Sequence, residues 1–84
     1  MLKVLFFASV KEQLDCAALD VEWREAVGDL DALQAYLGAE RGPQWREVLG
    51  QANMVRAVNQ SVASDNCRLR DGDEVAFFPP VTGG

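Results

Sequence analysis

Alternating and continuous hydrophobic residues along the chain predict five short β-strands. Their positions are 2–8, 17–23, 54–58, 62–63 and 74–78. In the first strand the even-numbered side chains would form one apolar face, and Lys3, Leu5 and Phe7 would form the other. Because both faces are largely apolar, this stretch is typical of a central strand whose second face is not given entirely to water.

The last strand divides in the same way, with Val75 and Phe77 on one face and Glu74, Ala76 and Phe78 on the other. Its first face consists of large apolar side chains, so we expect that face to contribute to the core.

The main helix is predicted to begin after Asp29, whose side chain can cap its first turn. Leu30, Leu33 and Leu37 then fall at helical spacing and form one apolar stripe. The Gly42-Pro43 pair ends the segment, because proline does not continue a helix.

Two shorter helices flank these elements. The first is predicted over Ser9–Leu14, with Ser9 as the N-cap and Glu12 three positions later in the capping-box spacing. The second covers Gln44–Leu49, where Trp45 is expected to be a core or lid residue.

The order of elements is strand, strand, helix, strand, short strand, strand, so one main helix lies between two hairpin-like halves. Short connections and right-handed crossovers favour a sheet in which the first and last strands are parallel neighbours in the middle. This is an α+β fold, a mixed sheet wrapped over one main helix with additional short helices, and it is the β-grasp or ubiquitin-like architecture. We expect residues 1–78 to form this domain and residues 79–84 to form an extended carboxyl-terminal tail.

The tail has its own chemistry. Pro79-Pro80 lacks backbone N–H groups, so the last strand must end before it. No charged side chain follows Glu74, and the β-branched Val81-Thr82 is stiff. Gly83-Gly84 is thin enough to enter a slot that any Cβ would block, and the whole tail spans at most about 20 Å. We interpret the terminal carboxylate as a group delivered to another protein, the alternative being a frayed terminus that ends in glycine.

Four apolar side chains should lie on the sheet face away from the main helix, close to the root of the tail. They are Leu5, Phe7, Val62 and Phe78. Exposed apolar patches of this kind mark docking surfaces. The alternative is that the helix around Trp45 covers them.

Composition and charge restrict the partners. The chain has 84 residues, of which 49% are hydrophobic and 25% are charged, as expected of one small globular domain. Its net charge of −5 disfavours nucleic acid, because it repels phosphate backbones. No histidine is present, which removes the commonest general base and metal ligand, and we expect no metal site.

The two cysteines, Cys16 and Cys67, form no C-x-x-C motif and are expected to be small buried hydrophobic residues, with a persulfide or a disulfide as alternatives. The sequence contains no leader peptide and no run long enough to span a bilayer. We therefore expect a cytoplasmic protein with no membrane partner.

Several segments resemble the small subunits of molybdopterin synthase, a family of sulfur carriers. The most specific are Ala57-Val58-Asn59-Gln60 and the run from Leu69 to Gly84, which contains the pattern D-G-D-E-V-A-x-x-P-P-V-x-G-G. Lys3–Ala8 and Lys11-Glu12 extend the likeness to the amino terminus, whereas Trp23–Gln51 matches only as a helix of suitable length.

The resemblance implies that this chain is a non-catalytic carrier subunit of an enzyme and that the catalytic residues lie in its partners. An adenylating, E1-like enzyme would use ATP and magnesium to join Gly84 to AMP. A sulfur donor, such as a rhodanese or a cysteine desulfurase, would then leave a thiocarboxylate on Gly84. The large catalytic subunit, in a heterotetramer, would pass that sulfur to a pterin precursor to build the dithiolene of the molybdenum cofactor. No cofactor would be bound by the carrier itself.

Residue by residue, the resemblance implies that Gly84 is the reactive terminus and that Gly83 gives it clearance. The residues that would line the partner's channel are Pro79, Pro80, Val81 and Thr82. Phe7, Val62 and Phe78 would make the hydrophobic contact with the large subunit and, in turn, with the activating enzyme. Three alternatives stay open: a carrier for thiamine or tRNA thiolation, a ubiquitin-like modifier joined to lysines, and an interaction module with an inert tail.

Overall fold

A computed structural model describes residues 1–80 of the chain. The strands in this part of the chain are β1 (Leu2–Phe6), β2 (Ala18–Val21), β3 (Val55–Val58), β4 (Ser61–Ala63) and β5 (Glu74–Phe78). They form one sheet in the order β2-β1-β5-β3-β4. β1 and β5 are parallel, and the other neighbouring pairs are antiparallel. The predicted β-grasp architecture is confirmed, with the first and last strands side by side in the middle.

The helices lie against one face of this sheet. Their bounds are α1 (Ala8–Leu14), α2 (Leu30–Arg41) and α3 (Pro43–Leu49), and a 3₁₀ turn covers Glu25–Val27. The Asp29 side chain accepts a hydrogen bond from the Ala32 amide at 2.8 Å, so the predicted cap of α2 is confirmed. Leu30, Leu33 and Leu37 are all buried, as their helical spacing predicts.

The core lies between α2, α3 and the inner face of the sheet. The Phe6 ring stacks on Phe77 with centroids 5.8 Å apart, and it meets Trp45 edge-to-face at 5.3 Å. Trp45 is therefore a core residue, and α3 packs on the inner face. The alternative in which this helix covers the outer apolar side chains is wrong.

The start of α1 differs from the prediction. β1 ends at Phe6, Phe7 occupies the N-cap position without a side-chain cap bond, and Ser9 lies inside the helix. The Phe7 amide donates to the Phe77 carbonyl at 3.2 Å, which keeps Phe7 beside β5, and its carbonyl accepts from the Lys11 amide. The predicted Ser9 cap is wrong because this pairing with β5, and not a local side chain, decides where the helix begins.

Ala8 was predicted to be part of the first strand but is not, since its φ of 53° lies in the left-handed region. The other strands agree in position: β2 (Ala18–Val21) and β3 (Val55–Val58) are shorter than predicted, β4 begins one residue earlier, at Ser61, and β5 has its predicted bounds. No helix within residues 1–80 has the length and apolar character needed to cross a bilayer.

Candidate docking face and root of the tail

The pairing of the strands decides which side chains share the outer face of the sheet. Because side chains alternate, the buried Val4 and Phe6 place Lys3 and Leu5 on the outer face. The buried Val75 and Phe77 likewise place Glu74, Ala76 and Phe78 there. Outer-face residues of neighbouring strands then meet in rows that run across the sheet.

One of these rows is apolar in all five strands. Its members, in order from β2 to β4, are Ala18, Leu5, Ala76, Ala57 and Val62. Three of the five are alanines. The side chains in the middle of the row therefore project only a short distance from the sheet, and the larger Leu5 and Val62 project further on either side. Val62 is 67% exposed, and its place in a contiguous apolar row distinguishes it from a single exposed apolar residue.

A second row lies closer to the tail and contains Phe7, Phe78 and Val55. Val55 is the register partner of Phe78, and Phe7 is held beside β5 by its hydrogen bond to the Phe77 carbonyl. Phe7 is 48% exposed, and Phe78 is partly exposed. Together the two rows form a continuous apolar surface, which we call the docking face. The structure therefore brings the predicted residues Phe7, Val62 and Phe78 onto one surface.

The tail leaves the sheet at the end of the docking face that carries Phe7. β5 ends at Phe78, Pro79 is half-buried and Pro80 is exposed. The predicted residues Val81, Thr82, Gly83 and Gly84 lie outside the described residues.

The opposite end of the outer face is charged. Lys3 pairs in register with Asp20 on one side and with Glu74 on the other. Opposite charges at directly facing positions stabilise a sheet by a few tenths of a kcal/mol to about 1 kcal/mol. The outer face is thus apolar near the root of the tail and charged at its far end.

Asn59 fixes the beginning of β5, a role that the sequence alone does not predict. Its amide donates to the Glu74 carbonyl at 2.7 Å, and its side-chain oxygen accepts from the Glu74 amide at 3.0 Å. Its side-chain nitrogen donates to Asp73 at 3.0 Å. Asn59 and Gln60 both have positive φ, which a two-residue hairpin turn of type I′ requires and which asparagine tolerates. The turn residue and its φ can be foreseen from sequence, but its long-range bonds cannot.

Hydrogen bonds within the Arg70–Asp73 turn and from Asn59 lower the pKa of Asp73 below its ordinary value of 3.8. The largest cause is the bond from the Arg70 amide at 2.8 Å, followed by the bond from the Asn59 side chain. Because Asp73 directly precedes β5, its ionised carboxylate holds the turn that leads into the strand carrying the tail.

Among residues 1–80, no three histidine, cysteine, aspartate or glutamate side chains converge on a position where they could hold a metal ion. Within the same residues, Cys16 and Cys67 are both free thiols and are half-buried. What the described residues do offer is an apolar surface next to the point where β5 ends and the tail begins.

Comparison with known proteins identifies related chains. A model of the ThiS family matches residues 4–84. The molybdopterin synthase sulfur carrier subunit of Escherichia coli (strain K12) is 43% identical over 84 residues, which is 100% of both chains. The subunit of the same name from Haemophilus influenzae is 37% identical over 84 residues, again 100% of both.

A solved structure has the same fold. It is a chain in the protein-protein complex of subunits 1 and 2 of molybdopterin-converting factor from Helicobacter pylori 26695. The match has a TM-score of 0.68 and 30% sequence identity, and it covers 99% of this chain and 97% of that one.

Proposed function

The chain belongs to the ThiS family, and on that premise we propose that it is the sulfur carrier subunit of a molybdopterin synthase. The observation that carries the proposal is the similarity to the Escherichia coli sulfur carrier subunit, which spans every residue of both chains. The matched range extends to the Gly83-Gly84 end of this chain, on which a carrier function would depend.

The chemistry that we assign to the tail takes place at the Gly84 carboxylate. A carboxylate is a poor electrophile, so an activating enzyme first attacks the α-phosphate of ATP with it, which releases pyrophosphate and forms an acyl-adenylate. A sulfide equivalent from a sulfur donor then attacks the acyl carbon and displaces AMP. One carbon–oxygen bond is thereby replaced by one carbon–sulfur bond, and the product is a thiocarboxylate.

The docking face would bind the partner protein that uses the thiocarboxylate. We assign Phe7, Val62 and Phe78 to the contact with the large catalytic subunit, because they lie on the one apolar surface that reaches the root of the tail, and Phe7 and Val62 are exposed. The tail would then enter the active site of that subunit, where the thiocarboxylate sulfur is transferred to the pterin precursor. General acid–base residues for the transfer would belong to the large subunit.

The same apolar face would bind the activating enzyme at an earlier step, so the two partners would compete for it. We also propose a cytoplasmic location, which the two free thiols in the described part of the chain support, because structural disulfides are rare in that compartment.

The proposal is tested by the intact mass of the purified chain before and after incubation with ATP, magnesium, the activating enzyme and a sulfur donor. We expect a species that is heavier by the difference between one sulfur and one oxygen atom, and fragmentation should place the change on Gly84. The loaded chain, mixed with the large subunit and the pterin precursor, should lose that mass increment as product forms.

Two results would contradict the proposal. A chain recovered in amide linkage to lysines of other proteins would identify a modifier. A thiocarboxylated chain that supports thiamine or tRNA thiolation, but not dithiolene formation, would identify a carrier of another pathway. A chain with one extra residue after Gly84 is the matched control, because it keeps the docking face and loses the reactive terminus.

A further inference from the structure

The β2 edge of the sheet has an unpaired side whose geometry follows from the hydrogen bonds of β1. The Lys3 amide donates to the Asp73 carbonyl at 3.0 Å, so the odd-numbered residues of β1 direct their backbone groups toward β5. The even-numbered ones therefore face β2, as the bond from the Phe6 amide to the Ala17 carbonyl at 2.9 Å demonstrates.

Backbone bonds alternate along an antiparallel pair, so alternate residues of β2 point away from the sheet. Counting from Ala17, the outward-directed residues are Ala18, Asp20 and Glu22. The Ala18 carbonyl accepts a weak bond from the Cys16 thiol at 3.5 Å. No backbone hydrogen bond joins Asp20 or Glu22 to another residue within 1–80 at this edge. A neighbouring strand would satisfy these groups.

A groove of about 370 Å³ lies along the same edge, beneath the sheet. Leu19 and Val21 line it from β2, and Tyr36, Glu40 and Arg41 line it from α2. An extended chain added to β2 would place every second side chain in this groove. Charged and polar side chains predominate in its lining, so it suits short β-branched side chains that carry a hydroxyl group, such as threonine.

Charge decides what kind of strand can be added. Asp20 and Glu22 are exposed, and their side chains share the outer face. A second copy of β2 would set these carboxylates against their own equivalents, and like charges at facing positions are destabilising. The net charge of −5 opposes such self-association further. A segment with Lys or Arg at the positions facing Asp20 and Glu22 would instead be attracted.

The other edge of the sheet lacks these features. β4 has three residues, and its two-residue hairpin with β3 leaves only Val62 with backbone groups directed outward. The Val62 side chain already belongs to the docking face. Of the two edges, β2 is the one that can add a strand.

We propose that the β2 edge binds an extended segment of a partner protein by strand addition, and that Lys or Arg alternates in this segment with short β-branched residues. Basic side chains would face Asp20 and Glu22, and the β-branched ones would enter the groove. The site lies along the edge of the sheet, and Asp20 is at the end of the outer face away from Phe7 and Phe78, so the edge and the docking face can be occupied together. This site is independent of the proposed carrier function.

The test is an NMR titration of the full chain with the blocked peptide acetyl-Lys-Thr-Lys-Thr-Lys-Thr-amide. We expect saturable shifts of the Asp20 and Glu22 amides, with the Phe7 and Phe78 amides unchanged. The same peptide N-methylated at alternate residues, so that it cannot donate to the edge, should bind about tenfold more weakly.

The double variant Asp20→Asn/Glu22→Gln should lose binding, whereas Asp65→Asn/Glu47→Gln, which has the same net charge, should retain it. If both double variants lost the same amount of peptide affinity, the binding would be a nonspecific attraction between the basic peptide and an acidic protein, and the proposal would be overturned. Equal binding of the N-methylated peptide, or self-association of the free chain through β2, would also overturn it.

Discussion

Asn59 makes several hydrogen bonds to residues that are distant in sequence, and no sequence pattern around it predicts them. It joins the β3–β4 turn to the first residue of β5 through both its backbone and its side chain. Because β5 carries the tail at its other end, the position of the tail depends on this turn.

Replacement of Asn59 by glycine keeps the positive φ accessible and removes only the side-chain bonds. We expect the free energy of unfolding to fall by about 1–2 kcal/mol, since the Glu74 amide and Asp73 lose their partner. Urea denaturation followed by circular dichroism measures the change. A matched Gln60→Gly variant, whose side chain makes no such bonds, should be close to neutral, and equal effects at both positions would contradict the interpretation.

Asp73 gives the domain a pH dependence of predictable sign. Its folded-state pKa is below the ordinary value of 3.8, so the folded protein holds the ionised form more favourably than the unfolded chain does. The stabilisation is present above that ordinary value and is lost as the pH falls through the lower folded-state pKa.

Asp73→Asn should therefore lower the stability near neutral pH and flatten its decline in acid. The measurement is the urea midpoint of both proteins between neutral pH and pH 2. Asp65→Asn, which removes an exposed carboxylate that makes no hydrogen bond within residues 1–80, is the control and should leave the urea midpoint at neutral pH unchanged. A parallel decline of the native protein and Asp73→Asn would contradict the assignment.

At the scale of elements, sequence reasoning succeeds where local pattern and tertiary packing agree. β5 was predicted with its observed bounds because its apolar alternation ends at Pro79, and α2 was predicted because Asp29 and a leucine stripe mark it. The predicted start of α1 was wrong. The hydrogen bond from the Phe7 amide to the Phe77 carbonyl joins residues far apart in sequence, and it decides where the helix begins in place of the capping-box pattern at Ser9. The rows of the docking face likewise depend on strand register, which composition does not reveal, and the terminal Gly-Gly lies outside the described residues.

The docking face yields a prediction about affinity. Phe7→Asp or Phe78→Asp would bury an unpaired charge in the proposed contact, so we expect the affinity for the large subunit to fall at least tenfold, about the effect of a hot-spot residue. Calorimetry with the purified large subunit measures it. Ala39→Asp, an exposed site on α2 with the same change in charge, is the control. Unchanged affinity in both phenylalanine variants would remove the docking face from the proposal.

At the scale of the whole molecule, the residues that form the core differ from the residues to which we assign the chemistry. One core of buried side chains lies within residues 1–80, and its members come from β1, β2, β5, the helices and Leu69. Changes at the terminus should therefore alter chemistry without altering the fold.

We expect that one residue appended after Gly84, or a bulky residue in place of Gly83, abolishes sulfur transfer and leaves the unfolding midpoint unchanged. Molybdoenzyme activity in a strain that lacks this protein measures the first effect, and thermal denaturation measures the second. Restoration of that activity by either variant would contradict the tail mechanism.

The parallel pairing of β1 and β5 also determines how the domain responds to mechanical force. β1 begins at Leu2 and β5 ends at Phe78, so a pull on Met1 and Pro80 slides two central neighbours past one another. All hydrogen bonds between them then bear load at once. Leu2 and Val21, by contrast, are register partners at one end of an antiparallel pair, and pulling on them opens the bonds one by one. Because a pull between Met1 and Pro80 loads the sheet in shear, we expect the domain to resist it better than a pull between Leu2 and Val21.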